Sequence, residues 1–185
     1  WGRPSPSGRG RMCTPAGGGA AEEVLEMPPS AGTGVRGLIS MRTLRAAKHL
    51  RDQGVAFVII SGVRYSTLMG RLPWLPCADA VVNENGGRVF LRDDSGLCTL
   101  PLVEDLEWRA SLAAGAGPVG QEGLAPGDRE GPVWDVYRRL VAEGWPVDAT
   151  SYETMIRVKV RAPRTPEQLA EALRDLPPSL ATAVN

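Results

Sequence analysis

A serine, a glycine and an arginine follow directly on the apolar run Val55 to Ile60. Ser61 offers a hydroxyl, Gly62 a backbone N–H on a residue that bends freely, and Arg64 a forked cation that can hold two phosphate oxygens. In open parallel sheets, ligands bind beyond the carboxyl ends of the strands, next to helix N-termini that favour anions. The pattern therefore indicates an anion site. The alternative is an ordinary turn with a solvated Arg64, because such turns are common.

The segments on either side of this turn predict alternating helices and strands. Ser40 is placed to cap a helix with one apolar face, and Gly54 can end that helix in a left-handed conformation. The β-branched run Val55 to Ile60 is typical of a strand covered on both faces in a parallel sheet. Ser66 is placed to cap a second short helix, and Ala78 to Asn83 is predicted to be the next strand. The order predicts an α/β fold.

About twenty residues after the Ser61-Gly62 turn, the second predicted strand runs into Asn85-Gly86. This order resembles the haloacid dehalogenase-like phosphohydrolases, and within them the branch of sugar-phosphate and sucrose-phosphate phosphatases. In that branch the second motif is a Thr or Ser followed by Gly and Arg, and an Asn-Gly follows the next strand. Ser61-Gly62 and Asn85-Gly86 match these motifs, with Arg64 one place later than in the family. The resemblance covers about Gly32 to Phe90.

The resemblance implies a partial Rossmannoid parallel sheet with an inserted cap of mixed α and β structure. It also implies a magnesium-dependent phosphatase of small phosphate esters such as sugar phosphates, in which one Asp attacks phosphorus and a second serves as acid and base. On this basis Ser61 is the expected catalytic residue, since it would hold a phosphoryl oxygen. Gly62, Arg64 and Asn85 are expected to help bind the phosphate of a small phosphorylated metabolite.

The chain departs from the family at the first motif, Asp-x-Asp-Gly-Thr, which is expected shortly before the Ser40 helix. Gly32-Thr33 matches, but Pro29 and Ala31 stand at the two carboxylate positions, and no Asp-x-Asp occurs in the sequence. Because magnesium prefers hard oxygen ligands, we expect this chain to bind no Mg²⁺ and to be inactive by itself. It is predicted to be a fragment that also lacks the family's C-terminal motifs. A non-catalytic phosphate-binding relative is the alternative.

Three regions are predicted along the chain: a disordered N-terminal segment, a partial core, and a cap truncated at its C-terminus, covering residues 1–30, 31–92 and 93–185. The first region begins with 21 residues rich in Gly, Pro, Ser and Arg that have no apolar period. The third contains a predicted hairpin around the turn formers at 93–96, followed by three helices and two antiparallel strands.

The second strand of the predicted cap has a basic face. Met155, Arg157 and Lys159 alternate there with apolar residues, so one face of the strand is expected to be buried. A basic face can attract a phosphorylated substrate. Exposed sheets commonly carry Lys and Arg simply for solubility and to protect strand edges, and we favour this second interpretation.

The composition limits the classes of partner. Lys plus Arg and Asp plus Glu both number 21, so there is no net field that would attract nucleic acid or an anionic membrane. Three cysteines without a CxxC pair argue against disulfides and structural zinc. No apolar run approaches the roughly 20 residues of a membrane helix. We expect an intracellular protein without nucleic-acid or membrane partners, cytoplasmic or plastid because its N-terminus is basic and acid-poor.

Overall fold

The computed structural model describes residues 11–14, 18–92 and 102–182, and within them the chain has a mixed α/β structure. The strands are β1 (Arg11–Cys13), β2 (Glu22–Pro29), β3 (Arg36–Ser40), β4 (Val58–Ile60), β5 (Ala80–Asn83), β6 (Arg88–Arg92), β7 (Leu102–Glu104), β8 (Val147–Asp148) and β9 (Arg157–Val158). The α-helices are α1 (Met41–Asp52), α2 (Tyr65–Arg71), α3 (Leu106–Ser111), α4 (Ala113–Ala116), α5 (Pro132–Ala142) and α6 (Pro166–Ala172). No helix in this part of the chain is both long and apolar enough to cross a membrane.

The chain divides into two compact units. Unit 1 takes its described residues from the ranges Trp1–Ile59, Tyr65–Val81 and Leu91–Leu102. Unit 2 takes its described residues from Ile60–Arg64, Val82–Phe90 and Val103–Asn185. This division differs from the boundary expected near residue 92, because two short segments of the expected core belong with the expected cap. The predicted hairpin turn at 93–96 lies outside the described residues.

Unit 1 contains an antiparallel sheet in the order β1-β2-β3. Residues 22–29 were expected to be disordered, and this prediction is wrong, because they form β2. The strand pairs with β3 over Val24↔Ser40 and Leu25↔Ile39, with an irregularity between Glu26 and Pro29. Tertiary pairing of this kind overrides the weak strand signal of an acidic segment that ends in two prolines.

The helix predicted after Ser40 is confirmed as α1. The Ser40 hydroxyl accepts a hydrogen bond from the Thr43 backbone N–H at 3.1 Å, and Gly54 adopts a left-handed φ of 78° just after the helix. The predicted helix near Ser66 is also present as α2, but it begins at Tyr65, so Ser66 lies within the helix and does not cap it as predicted. Local signals were sufficient to predict the ends of α1, because a cap and a helix end involve only neighbouring residues.

Four strands form a mixed sheet in the order β4-β5-β6-β7. In unit 1 the Asp79 N–H donates to the Phe57 carbonyl, and in unit 2 the Ser61 N–H donates to the Val82 carbonyl, so β4 and β5 run parallel. The sheet is therefore mixed, whereas the family resemblance implied a partial parallel sheet. The four residues between β5 and β6 are too few for the crossover that parallel strands require.

The strand predicted at Val55 to Ile60 is shorter and less covered than expected. It spans Val58–Ile60 and lies at one end of the strand order, with 46% of Val58 and 72% of Ile60 exposed. The prediction of a strand covered on both faces is therefore wrong for the described chain. An apolar sequence indicates that a strand favours burial, but it does not determine whether another element of the structure covers the strand.

Unit 2 is built on helix α5, which begins after Gly131 with Pro132 in its first turn. Trp134 is fully buried, and its indole N–H donates to the Ala116 carbonyl at 3.0 Å. The Arg129 guanidinium stacks 4.6 Å above the Trp134 ring. These contacts place a large aromatic anchor between the helix and the preceding loop.

The other predicted elements of unit 2 are present. Strands β8 and β9 pair antiparallel through Val147↔Val158, although each is two residues long. Helix α6 begins with a capping box, in which the Thr165 hydroxyl accepts from the Gln168 N–H and the Gln168 side chain accepts from the Thr165 N–H. Strand β9 and helix α6 pack against the buried cluster of Val136, Leu140 and Trp145.

Exposure of β4 generates a prediction about self-association. Replacing Val58 by Lys should reduce concentration-dependent association, because a charge on an exposed apolar edge strand opposes pairing with a second chain. Light scattering over a range of protein concentrations measures the effect. The unfolding free energy should change by less than about 0.5 kcal/mol, as is usual for surface positions.

The matched control is Leu124→Lys, which places the same charge on an exposed loop residue outside the strands. If both variants scatter light as the parent protein does, the β4 edge does not drive association. An equal reduction in both would assign the effect to net charge alone.

Candidate functional site

A cavity of about 800 Å³ lies within unit 2, and Ser61, Gly62 and Asn85 are among its lining residues. Its volume falls within the usual range of small-molecule sites, about 300 to 1,000 Å³. Ser61 is half-buried and follows immediately on the last residue of β4. The structure therefore places the hydroxyl singled out from sequence at a strand end and on a cavity wall.

Backbone hydrogen bonds join the segment after β4 to the segment after β5. The Asn85 N–H donates to the Ser61 carbonyl at 3.4 Å, and the Glu84 N–H donates to the Val63 carbonyl at 3.3 Å. Gly62 lies so close to the Asn85 side chain that a Cβ atom at position 62 would overlap Asn85 Oδ1. Ser-Gly and Asn-Gly, which lie apart in the sequence, are thus brought together as one feature.

The segment after β5 has an uncommon backbone conformation. Glu84 and Asn85 have φ angles of 51° and 55°, and Gly86 follows at 101°. Consecutive non-glycine residues in the left-handed region are strained, and such strain persists where surrounding contacts enforce it. The preceding Asn83 is fully buried, and its amide has no hydrogen-bond partner within the described structure. This concentration of unfavourable features is typical of functional sites.

The Glu84 carboxylate is the contact that holds this segment in place. Its Oε2 atom accepts hydrogen bonds from the Glu153 N–H at 2.9 Å, the Thr154 N–H at 2.8 Å and the Thr154 hydroxyl at 2.7 Å. Gly87 allows the close approach, because a Cβ atom there would overlap Thr154 Oγ1. We call the cavity-lining residues Ser61, Gly62, Glu84, Asn85 and Thr154 the polar wall.

Arg64 is not among the residues that line the cavity. It is 6% exposed, donates to Asp148 Oδ2 at 2.6 Å, and stacks 5.0 Å from the centre of the Tyr152 ring. Arg64, which was expected to contact phosphate, thus forms a buried ion pair with Asp148, a residue 84 positions later in the sequence. An arginine so engaged connects the turn after β4 to β8 and is not available to a ligand.

Arg157 is the cation that lines the cavity. It lies in β9, is exposed, and its Nη1 donates to the Tyr152 hydroxyl at 3.4 Å. This hydrogen bond raises the pKa of Arg157, so the guanidinium stays charged. Among the described lining residues, Glu84 and Arg157 carry the charges. Arg157 therefore takes the position relative to the cavity that the sequence suggested for Arg64.

The rest of the cavity surface is predominantly apolar. Helices α5 and α6 and the chain after α6 contribute an apolar wall, which we define as Val136, Leu140, Leu169, Leu173, Leu176 and Leu180. Val136 and Leu140 are buried, and the four leucines that follow are half-buried. The charged and the apolar lining residues thus come from different parts of the chain.

A group of buried charges lies behind the polar wall. Arg88 pairs with Glu104 through two hydrogen bonds at 2.8 and 2.5 Å, and with Glu153 Oε1 at 2.6 Å. Burial raises the pKa of Glu153 to about 7, Arg88 opposes the rise, and the Glu84, Glu122 and Glu104 carboxylates add to it. The pKa of Glu153 rises because burial and three neighbouring carboxylates raise it by more than the Arg88 guanidinium lowers it. Arg88 also pairs with Glu104.

The described residues do not provide suitable ligands for the magnesium that the family resemblance implies. In the described residues there is no group of three or more His, Cys, Asp or Glu side chains placed to hold a metal ion. Pro29 is the last residue of β2, and Ala31 lies in the turn before β3, where its N–H donates to Thr67 Oγ1 at 3.1 Å. Neither side chain can donate an electron pair to a metal, so the described chain does not fit Mg²⁺ in the way the family would require.

Comparisons with known proteins provide no family assignment. No family model, no curated protein and no solved structure matches this chain. The polar wall and the contacts around it therefore carry the functional interpretation.

Sequence reasoning missed two residues of the site, Glu84 and Thr154, and it did not assign Arg157 to the site. A signal for Glu84 existed, because an acidic residue precedes Asn-Gly directly after a strand. Arg157 was recognised on a basic face, but nothing local distinguished a cavity residue from a solubilising one. Thr154 had no signal, since its partner lies 70 residues away.

The raised pKa of Glu153 predicts a pH dependence of stability. The folded chain holds this proton up to about pH 7, whereas the unfolded chain releases it near 4.5. The contribution of Glu153 to the unfolding free energy is therefore largest below pH 4.5 and is lost as the pH rises to about 7. Glu153→Gln should remove this part of the dependence, about 1 to 3 kcal/mol between pH 5 and 8.

Urea unfolding of the parent and the variant at each pH measures the difference, so that other titrating groups cancel. Glu143→Gln is the control, because Glu143 lies at the exposed end of α5 outside this charge group. Parallel stability curves for the parent and Glu153→Gln would contradict the raised pKa.

Proposed function

We propose that this chain binds the phosphate group of a small phosphate ester at the polar wall, as part of a haloacid dehalogenase-like phosphohydrolase. The observation that carries the proposal is the meeting of Ser61, Asn85 and Arg157 on one cavity. A hydroxyl, an amide and a guanidinium can all donate hydrogen bonds to phosphate oxygens. The order of the Ser-Gly and Asn-Gly motifs supports the family, since both motifs contribute to this wall.

The donors of the polar wall have defined roles in this proposal. The Ser61 hydroxyl accepts from the Val63 N–H at 3.3 Å and keeps its own proton for a phosphate oxygen. The Asn85 amide is fixed by the strained backbone and by its contact with Gly62, and its Nδ2 atom lies 3.8 Å from Met155 Sδ, a weak acceptor. Arg157 supplies the positive charge that Arg64 cannot.

Glu84 limits where the phosphate can lie. One oxygen of its carboxylate is satisfied by three donors, and the other, Oε1, is buried without a partner within the described structure. Because Glu84 is 2% exposed and Oε1 is buried, a ligand does not reach this oxygen, and the carboxylate instead disfavours a phosphate dianion placed beside it. The phosphate is therefore best placed towards Ser61 and Asn85 and away from Glu84.

Hydrolysis requires a nucleophile that the described cavity does not supply. Glu84 is the carboxylate on its lining, and it is committed to the backbone of residues 153 and 154. Pro29 and Ala31 offer no carboxylate at the positions where the family has two. We therefore propose that the chain by itself binds phosphate esters without hydrolysing them.

A second candidate function is a phosphate-ester-binding module that has no catalytic role. Its support is the position of Pro29 and Ala31 in a strand end and a hairpin turn of an antiparallel sheet. An antiparallel hairpin at these positions does not have to derive from a catalytic loop, so it is compatible with a module that never had catalytic aspartates. Phosphate binding is common to both candidates, and turnover separates them.

The phosphate site can be tested with inorganic phosphate as the probe. Ser61→Ala should weaken binding about tenfold, because a hydrogen bond to a charged group contributes on the order of 1.5 kcal/mol. Isothermal titration calorimetry measures the affinity. Ser66→Ala is the matched control, since Ser66 is exposed on α2 and does not line the cavity. Equal affinity in both variants would contradict the role of Ser61.

We also predict that residues 1–185 release no phosphate from p-nitrophenyl phosphate, with or without added Mg²⁺. The physical reason is that Glu84 is the one carboxylate among the described lining residues, and the backbone of residues 153 and 154 holds it in place. The absorbance of p-nitrophenol measures the reaction, and Ser61→Ala serves as the control for contaminating phosphatases. Turnover that chelation abolishes and that Ser61→Ala lowers would show that the chain contains a nucleophile that we have not identified.

A further inference from the structure

The apolar wall leaves hydrocarbon surface uncovered inside a cavity. Leu169, Leu173, Leu176 and Leu180 pack against the cluster of Val136, Leu140 and Trp145, yet all four remain half-buried. Apolar surface in contact with water is unfavourable in proportion to its area, about 25 cal/mol per Å². An apolar ligand group that covered this wall would bind without needing any specific polar partner.

The distribution of polar groups on the lining is uneven. The polar wall contributes a hydroxyl, an amide, a carboxylate and the Thr154 hydroxyl, and Arg157 adds a cation. Elsewhere on the described lining, the polar side chains other than the indole N–H of Trp108 are those of Ser179 and Thr182. That N–H already donates to the Gly86 carbonyl at 2.8 Å. A ligand that fills the cavity therefore meets the charged and amide side chains from the turns after β4 and β5 and from β9, and mainly hydrocarbon side chains from α5, α6 and the chain after α6.

This distribution discriminates between classes of ester. The hydroxyl groups of a sugar placed against the apolar wall would lose their hydrogen bonds to water without replacement, at a cost of about tenfold in affinity for each. An alkyl or other hydrocarbon group would instead gain about threefold to fourfold for each CH₂ that it buries. The two classes therefore differ by large factors even when their phosphate groups bind identically.

We propose that the cavity selects phosphate monoesters of apolar alcohols, with the phosphate on the polar wall and the hydrocarbon on the apolar wall. This inference rests on the proposed phosphate-binding function and adds the class of alcohol to it. It replaces the sugar phosphates implied by the family resemblance with soluble amphiphilic esters. The volume of about 800 Å³ admits a chain of several carbon atoms together with the phosphate.

The experiment compares inorganic phosphate, glucose 6-phosphate, butyl phosphate and octyl phosphate, each titrated into residues 1–185 by calorimetry. Octyl phosphate is kept below its micelle concentration. It should bind at least about tenfold more tightly than butyl phosphate, because its four additional CH₂ groups become buried. Glucose 6-phosphate should bind no more tightly than inorganic phosphate. Equal affinities for the two alkyl esters, or tighter binding of glucose 6-phosphate, would overturn the inference.

Variants in the apolar wall test where the hydrocarbon lies. Leu173→Gln should reduce the octyl-to-butyl affinity ratio severalfold and leave the affinity for inorganic phosphate unchanged. Leu169→Gln, within α6 and also in the apolar wall, provides a second variant if Leu173→Gln lowers the melting temperature. Leu124→Gln is the control, because Leu124 is exposed and does not line the cavity. An unchanged ratio in folded wall variants would overturn the inference.

Two further measurements separate the possible failures. If Ser61→Ala leaves every affinity unchanged, the phosphate site itself is wrong, and the proposed function fails with it. If Ser61→Ala weakens all four ligands but chain length has no effect, the phosphate site stands and the class of alcohol is wrong. Co-sedimentation with vesicles containing phosphatidic acid, without binding of monomeric octyl phosphate, would also overturn the inference, because it would indicate a lipid surface.

Discussion

The carboxylate of Glu84 is the contact on which the candidate site depends. Three donors from residues 153 and 154 converge on one of its oxygens and hold two successive residues in the left-handed region. Without this contact the strain in the backbone at Glu84 and Asn85 would be relieved by rotation, and the Asn85 amide would leave Gly62. A single buried carboxylate thus fixes both the conformation of the segment after β5 and the position of the chain that leads to Arg157.

A group of buried charges next to this contact makes its stability depend on pH. Arg88 is shared between Glu104 and Glu153, and burial together with neighbouring carboxylates raises the pKa of Glu153 to about 7. Removing charges from water is costly, and their mutual attraction compensates well only when every atom is paired. Unit 2 therefore holds its polar wall with a network whose charge depends on pH near neutrality.

The cavity combines two kinds of surface that come from different parts of the chain. Its polar wall is formed by the turns after β4 and β5 and by the segment before β9, whereas its apolar wall belongs to α5, α6 and the residues that follow. In the proposed function, the polar wall and Arg157 would hold the anionic end of the ligand. Selectivity for the remainder of the ligand would then follow from the apolar surface.

The sequence by itself determined the local features of this protein. The caps at Ser40 and Thr165, the helix after Gly131 and the hydroxyl after the β4 strand follow from interactions among neighbouring residues, and the structure has them all. Only the tertiary structure decided that Arg64 pairs with Asp148, that Glu84 binds Thr154, and that β4 lies at the end of its sheet. These outcomes depend on residues tens of positions apart, and no local pattern specifies which distant partner will satisfy a buried charge or cover an apolar strand.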